Sequence, residues 1–286
     1  MSLEPFELDV AGRRIAGLRT PAMPGAPARP RLLCLHGWLD DAASFAPLAG
    51  CLGDVELVAI DLPGHGHSEH ADAGYTLFDM ALAARRAIGA LGWARCHVVG
   101  HSLGANVAPW LAAAAPDAVE RLVMIEGVGP HTEEADALPG RMRRAFADRL
   151  GDGRRFAPRA FASLDAAVDH RLRRARMARA SARLVMERQV EPVDGGVRWR
   201  FDPALRHASA EYRTEAQVLA VLGALECPTL VVLGEHGYPL PRPETAARLD
   251  AIPDVRRVVL PGAHHLHMDA PGPVADAIRA FLDEGP

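Results

Sequence analysis

The chain has 286 residues, a net charge of −4 and 49% hydrophobic content, which suits one sizeable domain carrying an insertion better than two separate domains. No apolar run approaches the ~20 residues of a membrane span, and the opening MSLEPFELDV lacks the basic and apolar regions of a signal peptide. These features exclude stable membrane insertion and lead us to expect a cytoplasmic protein.

In chain order, FELDV and RRIAGLR read as an antiparallel pair joined at Ala11-Gly12. TPAMPGAPARPR, residues 20 to 31, is too rich in proline for a helix or a central strand and reads as an extended connector. Then come RLLCLHG, VELVAID, CHVVGHS, RLVMIEG, PTLVVLGE and VRRVVLPG, apolar throughout, as core strands. Helix-patterned segments such as YTLFDMALAARRAIGALG and ETAARLDAI separate them. This alternation predicts an α/β fold with a mostly parallel sheet flanked by helices.

About a hundred residues lie between RLVMIEG and PTLVVLGE, far more than an ordinary α/β connection. The expected organisation is therefore a core of residues 1–130 and 214–286 with a mainly helical subdomain, 131–213, inserted after RLVMIEG. Within it Leu138, Met142, Phe146 and Leu150 recur every four residues, as do Leu164, Val168 and Leu172, the spacing of helices. Ser163 and Ser181 are candidate N-caps, and DGGVRWRF suggests a turn and a short extended piece. The insert holds 18 Arg against 12 Asp plus Glu. That surplus reads first as a solvated helical face and second as a patch for an anionic ligand; nucleic acid is not an expected partner.

Cys34, Cys51, Cys96 and Cys227 contain no C-x-x-C pair, and no H-E-x-x-H spacing occurs among the 13 histidines. Neither a disulfide, a metal site nor a cofactor is expected.

The chemistry is carried first by VVGHSLGAN. A strand, then Gly100-His101-Ser102-Leu103-Gly104, then a helical run make a G-x-S-x-G turn, whose glycines stand where side chains would collide and which lifts the serine hydroxyl clear of the sheet. Ser102 is the candidate nucleophile. It needs a base and donors for a developing oxyanion. The Leu103 N–H supplies one candidate donor, and LHGW, with Gly37 allowing the turn, offers the Trp38 N–H as the other.

LHGW, DLPGHGHS at 61 to 68, GHSLG and GAHHLHMDAP together resemble the α/β-hydrolase fold family, over the chain outside the insert. The insert would then correspond to the family's cap. DLPGHGHS is similar to a family turn that is structural more often than catalytic. In the family pattern the catalytic histidine stands five residues before an acid and seven before a proline, so Asp269 and Pro271 select His264, with His265 and His267 as packing or solvent-facing neighbours. Many members place the triad acid in a pattern like G-E-x-D after the penultimate strand. Here VVLGEHGYPL puts Gly237 at that position, so the acid is either Glu235, two residues earlier, or lies elsewhere. Glu126, emerging from RLVMIEG before Gly-Val-Gly-Pro, resembles the arrangement of certain haloalkane dehalogenases and is the preferred reading.

HGWLDDAASF, MIEGVGP and VRWRFDP look most similar to the serine hydrolase-like branch. The resemblance implies a small-molecule substrate, a carboxylic ester or thioester, cleaved through an acyl-enzyme by Ser102, His264 and Glu126. A carbon–carbon bond hydrolase with the same triad and a ligand-binding protein with negligible turnover remain the alternatives. Dehalogenase and epoxide hydrolase chemistry would need an Asp where Ser102 stands.

Overall fold

The computed structural model describes residues 3–22, 29–71, 74–151, 154–210 and 212–284. Residues 23 to 28 of the proline-rich connector lie outside it, and the described residues on either side, 20 to 22 and 29 to 30, belong to no helix or strand.

The first strands are β1 (Glu4–Asp9), β2 (Arg14–Arg19), β3 (Arg31–Leu35), β4 (Glu56–Ile60), β5 (Cys96–His101) and β6 (Val119–Ile125). After the insert, whose strands are β7 (Ala160–Phe161), β8 (Val190–Val193) and β9 (Gly196–Trp199), come β10 (Thr229–His236) and β11 (Val255–Ala263). The main sheet has the order β1-β2-β4-β3-β5-β6-β10-β11. β1 and β2 pair antiparallel, and β2 pairs antiparallel with β4; all other pairings are parallel.

The central strands are apolar on both sides because helices cover both faces. Leu33 and Leu35 of β3 join one core with side chains from α2 (Leu77–Ala90), α3 (Leu103–Ala114), α7 (Glu215–Gly223) and α8 (Glu244–Ala251). Leu32 and Cys34 point the other way, into a core built with α1 (Ala46–Leu52), α9 (Leu266–Asp269) and α10 (Pro271–Leu282). Each of these fully buried leucines contributes about 1.5–3 kcal/mol. The local signals agree: Thr76 caps α2 through the Asp79 N–H, and Met80, Ala84, Ala87 and Ile88 form its buried face.

Between β6 and α7 the chain forms α4 (Leu138–Leu150), α5 (Leu164–Leu172), α6 (Arg179–Gln189) and the three-stranded antiparallel sheet β7-β9-β8. It leaves and returns at one place. Thr132 and Arg213 form a bridge, Glu133 N–H donates to Arg213 O, and a Thr214/Gln217 capping box starts α7 immediately afterwards.

Ser163 caps α5 by accepting from Ala166 N–H. Ser181 is not a cap; it lies inside α6 and donates to Asp269 Oδ1 at 2.6 Å. Asp269 accepts the Ala178 N–H at 3.1 Å with both oxygens, so the anionic cap of α6 comes from the end of α9, distant in sequence. Further ties bind this region to the core: Arg171 to Asp40, Arg188 to Asp61 at 2.6 Å, Gln189 to Leu39 O, and Tyr75 to Asp202 at 2.5 Å.

Candidate active site

The candidate site lies at the C-terminal ends of the parallel strands, where ligands bind in open α/β sheets. Ser102 stands between β5 and α3 with φ 51° and ψ −107°, a conformation that costs a non-glycine residue on the order of 1 kcal/mol or more. The turn holds it there. A Cβ on Gly100 would lie 2.4 Å from the Gly104 backbone, and one on Gly104 would lie 1.9 Å from Leu35 O. Ser102 N–H is tied back to Ile125 O at 2.9 Å.

His264 follows directly on β11. Its Nε2 lies 2.9 Å from Ser102 Oγ and its Nδ1 lies 3.1 Å from Glu126 Oε2. An Nδ1–H donated to the carboxylate leaves Nε2 free to accept the serine proton. The Tyr238 ring stacks on the imidazole at 4.2 Å, and His101 Nε2 donates to His264 O at 2.8 Å.

Glu126 is 2% exposed, and its buried carboxylate is fully partnered, as burial of a charge demands. Besides His264, Gly234 N–H donates to Oε1 at 2.7 Å and Tyr238 N–H to Oε2 at 3.0 Å. Its backbone has φ 55°, and its N–H donates to Val232 O of β10 at 2.9 Å. Glu235 is exposed at the end of β10 and is not a partner of the His264 ring. The structure thus brings Ser102, His264 and Glu126 into one hydrogen-bonded chain and leaves Glu235 outside it.

Leu103 occupies the first position of α3, and Trp38 lies in the turn after β3. Neither backbone N–H has a hydrogen-bond acceptor among the described residues. Gly37 permits that turn: a Cβ there would lie 2.9 Å from Asp40 Oδ2 and 3.0 Å from His101 Nδ1. The same turn is held from the insert by Arg171, which donates to Leu39 O and Asp40. Arg171 also keeps the buried Asp40 carboxyl well below the usual carboxylate range, against the opposing effect of burial.

Three neighbouring histidines, His36, His265 and His267, are buried. His36 accepts from Leu62 N–H through Nε2 and contacts Gly37 O through Nδ1. His265 and His267 are both buried, packed around His101. In DLPGHGHS, Asp61 accepts from Ala42 and His67 N–H groups and from Arg188, which makes it a turn and docking residue.

Beside Ser102 opens a cleft with Asn106, Gly127, His131, Tyr238 and Arg242 in its walls. Sequence reasoning missed Asn106, Tyr238 and Arg242, because no motif marks them; they share the cleft only through the folding of α3, the β6 exit and the β10 exit.

The model of the family described as alpha/beta hydrolase fold matches residues 30–271. A serine hydrolase-like protein of Danio rerio is 30% identical over 302 residues, covering 99% of this chain and 93% of that protein. The crystal structure of a hypothetical protein from Pseudomonas aeruginosa PAO1 is similar with a TM-score of 0.91 and 38% identity, over 98% of this chain and 100% of that one. A 2-(acetamidomethylene)succinate hydrolase of Mesorhizobium japonicum is 30% identical over 259 residues, 89% of this chain and 88% of that enzyme.

Proposed function

We propose that this chain, which belongs to the α/β-hydrolase fold family and to its serine hydrolase-like branch, cleaves a carboxylic ester or thioester through an acyl-enzyme intermediate. The observation that carries the reading is the unbroken hydrogen-bonded chain Ser102 Oγ, His264, Glu126. Ser102 Oγ attacks the acyl carbon while its proton passes to His264 Nε2. Glu126 holds the imidazole in the required tautomer and stabilises its cationic form. The oxyanion that forms takes hydrogen bonds from the Leu103 and Trp38 N–H groups, neither of which has an acceptor among the described residues.

Collapse of the tetrahedral adduct breaks the bond to the leaving oxygen or sulfur, which receives the proton from His264. Water then repeats the sequence on the acyl-enzyme: His264 takes its proton, its oxygen bonds to the acyl carbon, and Ser102 departs with the proton returned. Residues 131–213 act as a cap in this reading, closing over the strand ends and holding the Trp38 turn through Arg171.

The test is labelling with an active-serine phosphonate and turnover of short aryl esters. Both are expected in the wild-type protein and lost in Ser102→Ala. A wild-type protein that neither reacts with the probe nor cleaves esters or thioesters defeats the reading in favour of a ligand-binding role. The succinate-derived substrate in the name of the Mesorhizobium japonicum relative widens the screen, and a diketone belongs in it to test carbon–carbon cleavage by the same residues.

A further inference from the structure

We infer that the cleft beside Ser102 takes an acyl chain ending in a carboxylate, anchored by Arg242; the inference rests on the acyl-enzyme reading for which end of the substrate lies at the serine. Two arginines line the cleft, and they differ in what they have left to offer. Arg248 is 2% exposed and fully engaged: it donates to both Glu215 oxygens at 2.8 and 2.6 Å, and to Val128 O and Gly129 O at 3.1 Å each. It clamps the segment after Glu126 against α8.

Arg242 is half-buried. Its Nη1 lies 3.3 Å from His131 Nδ1 and 3.6 Å from Glu244 Oε1, so among the described residues it has an ion pair but no carboxylate within hydrogen-bond distance. The forked guanidinium therefore retains donors for a planar, two-oxygen acceptor, the geometry a carboxylate fits best.

A second group in the same wall lacks a partner. Asn106 lies one helical turn after Ser102, and its side-chain Oδ1 is buried without a hydrogen-bond partner. As an acceptor that oxygen calls for a donor rather than for a carboxylate, so Asn106 marks the wall as polar and the anchor rests on Arg242.

Among the described residues Glu244 is the carboxylate that pairs with Arg242, at 3.6 Å, beyond a hydrogen bond; Glu126 is held by three donors and Glu215 by Arg248. The field of the two arginines is felt at His131, where it adds to burial in lowering the proton affinity of the ring, with Glu244 opposing.

The arginine surplus of the insert has a different fate. Arg171, Arg179, Arg183 and Arg188 pair with Asp40, Asp169, Asp165 and Asp61. The candidate anion anchor comes from the core, at the exit of β10.

The experiment compares a phenyl hydrogen glutarate ester with its neutral counterpart, phenyl pentanoate, and separately titrates free glutarate by calorimetry. Wild type is expected to prefer the anionic ester in kcat/KM by about tenfold or more, equivalent to ~1.4 kcal/mol. Arg242→Gln should lower that ratio about tenfold through KM of the anionic ester, with Arg242→Lys restoring part of it. Glutarate should bind wild type and bind Arg242→Gln at least about tenfold more weakly. Ester cleavage without anionic preference and without glutarate binding overturns the site while leaving the hydrolase reading intact. Glutarate binding that depends on Arg242, in a protein that cleaves no ester, supports the site and removes the ester reading. Equal glutarate affinity in wild type and Arg242→Gln overturns the anchor.

Discussion

A Cβ on Gly237 would lie 2.0 Å from Glu126 Oε1 and 2.3 Å from Oε2. The space a side chain would fill at 237 is thus the space the Glu126 carboxylate occupies, and the adjacent strands β6 and β10 offer two routes for an acid to reach His264 Nδ1. Gly237→Ala forces the carboxylate aside by more than an ångström, a displacement that can cost on the order of 10² in rate. Glu126→Gln should lower kcat on short esters by roughly 10²–10⁴, since the amide favours the wrong imidazole tautomer. In the Glu126→Ala background, Gly237→Asp should recover part of the loss by delivering an acid from β10. Wild-type kcat in Gly237→Ala would sink this account. Gly237 was informative in the sequence because a glycine cannot orient a histidine, which directed attention to Glu126. What could not be read there is why Glu126 tolerates burial. Its remaining donors are the backbone N–H groups of Gly234 and Tyr238, and backbone donors leave no trace in side-chain identity.

At the scale of elements, the strands were legible because burial on both faces makes each a short apolar run of the length a strand needs. The inserted helices were legible as helices, and in α5 the stripe Leu164, Val168 and Leu172 does pack into the insert's own core, but in α4 the stripe does not mark the buried side. Along α4, Leu138, Met142, Phe146 and Leu150 repeat with helical spacing, yet all four are exposed, Phe146 at 61% and Leu150 at 83%. The inner side holds Arg141 and Ala145. Arg141 pairs with Glu133 and lies over the Tyr212 ring at 3.5 Å, so an ion pair and a cation–π contact stand where an apolar stripe is the usual choice. A periodic pattern gives the period of the element; its phase relative to the core depends on partners distant in sequence. The consequence is an inverted mutational pattern. Phe146→Ser should change stability by less than about 0.5 kcal/mol, whereas Ala145→Leu, inserted against packed atoms, should cost about 1–3 kcal/mol. Urea denaturation of both variants measures this, and a larger loss for Phe146→Ser would show that α4 docks through its apolar stripe.

The whole molecule carries a group of buried histidines whose number was visible in the sequence and whose burial was not. Burial lowers the proton affinity of five of them: His65 and His267 are pushed down to about 3, His170 to about 4, His101 lies well below the ordinary value, and His36 is lowered despite the opposing charge of Asp61. Among the described residues His267 has no hydrogen-bond partner for either ring nitrogen, and it packs 4.0 Å from His101, centroid to centroid, so burial and the neighbouring rings outweigh the compensation that Asp40 offers a charge on either. Unfolded, each titrates near 6.5. Between that value and the lowered one the unfolded chain binds more protons than the folded protein, so stability is fully present above pH ~6.5 and declines as pH falls. Each histidine contributes up to ~1.4 kcal/mol per pH unit in that window. Asp41 acts in the opposite sense, because burial and the neighbouring Asp61 raise its folded proton affinity, and it offsets about one histidine. The expected result is a Tm that is nearly level from pH 8 to 7 and drops steeply from pH 6.5 to 4.5, before the exposed carboxylates titrate. In His267→Gln the dependence of unfolding free energy on pH near 5.5 should be shallower by about 1.4 kcal/mol per unit, measured by urea titration at closely spaced pH values. An unchanged slope in that variant would mean His267 binds its proton equally in both states, and the acid sensitivity would then arise from the other histidines whose proton affinity burial lowers, His36, His65, His101 and His170 among them.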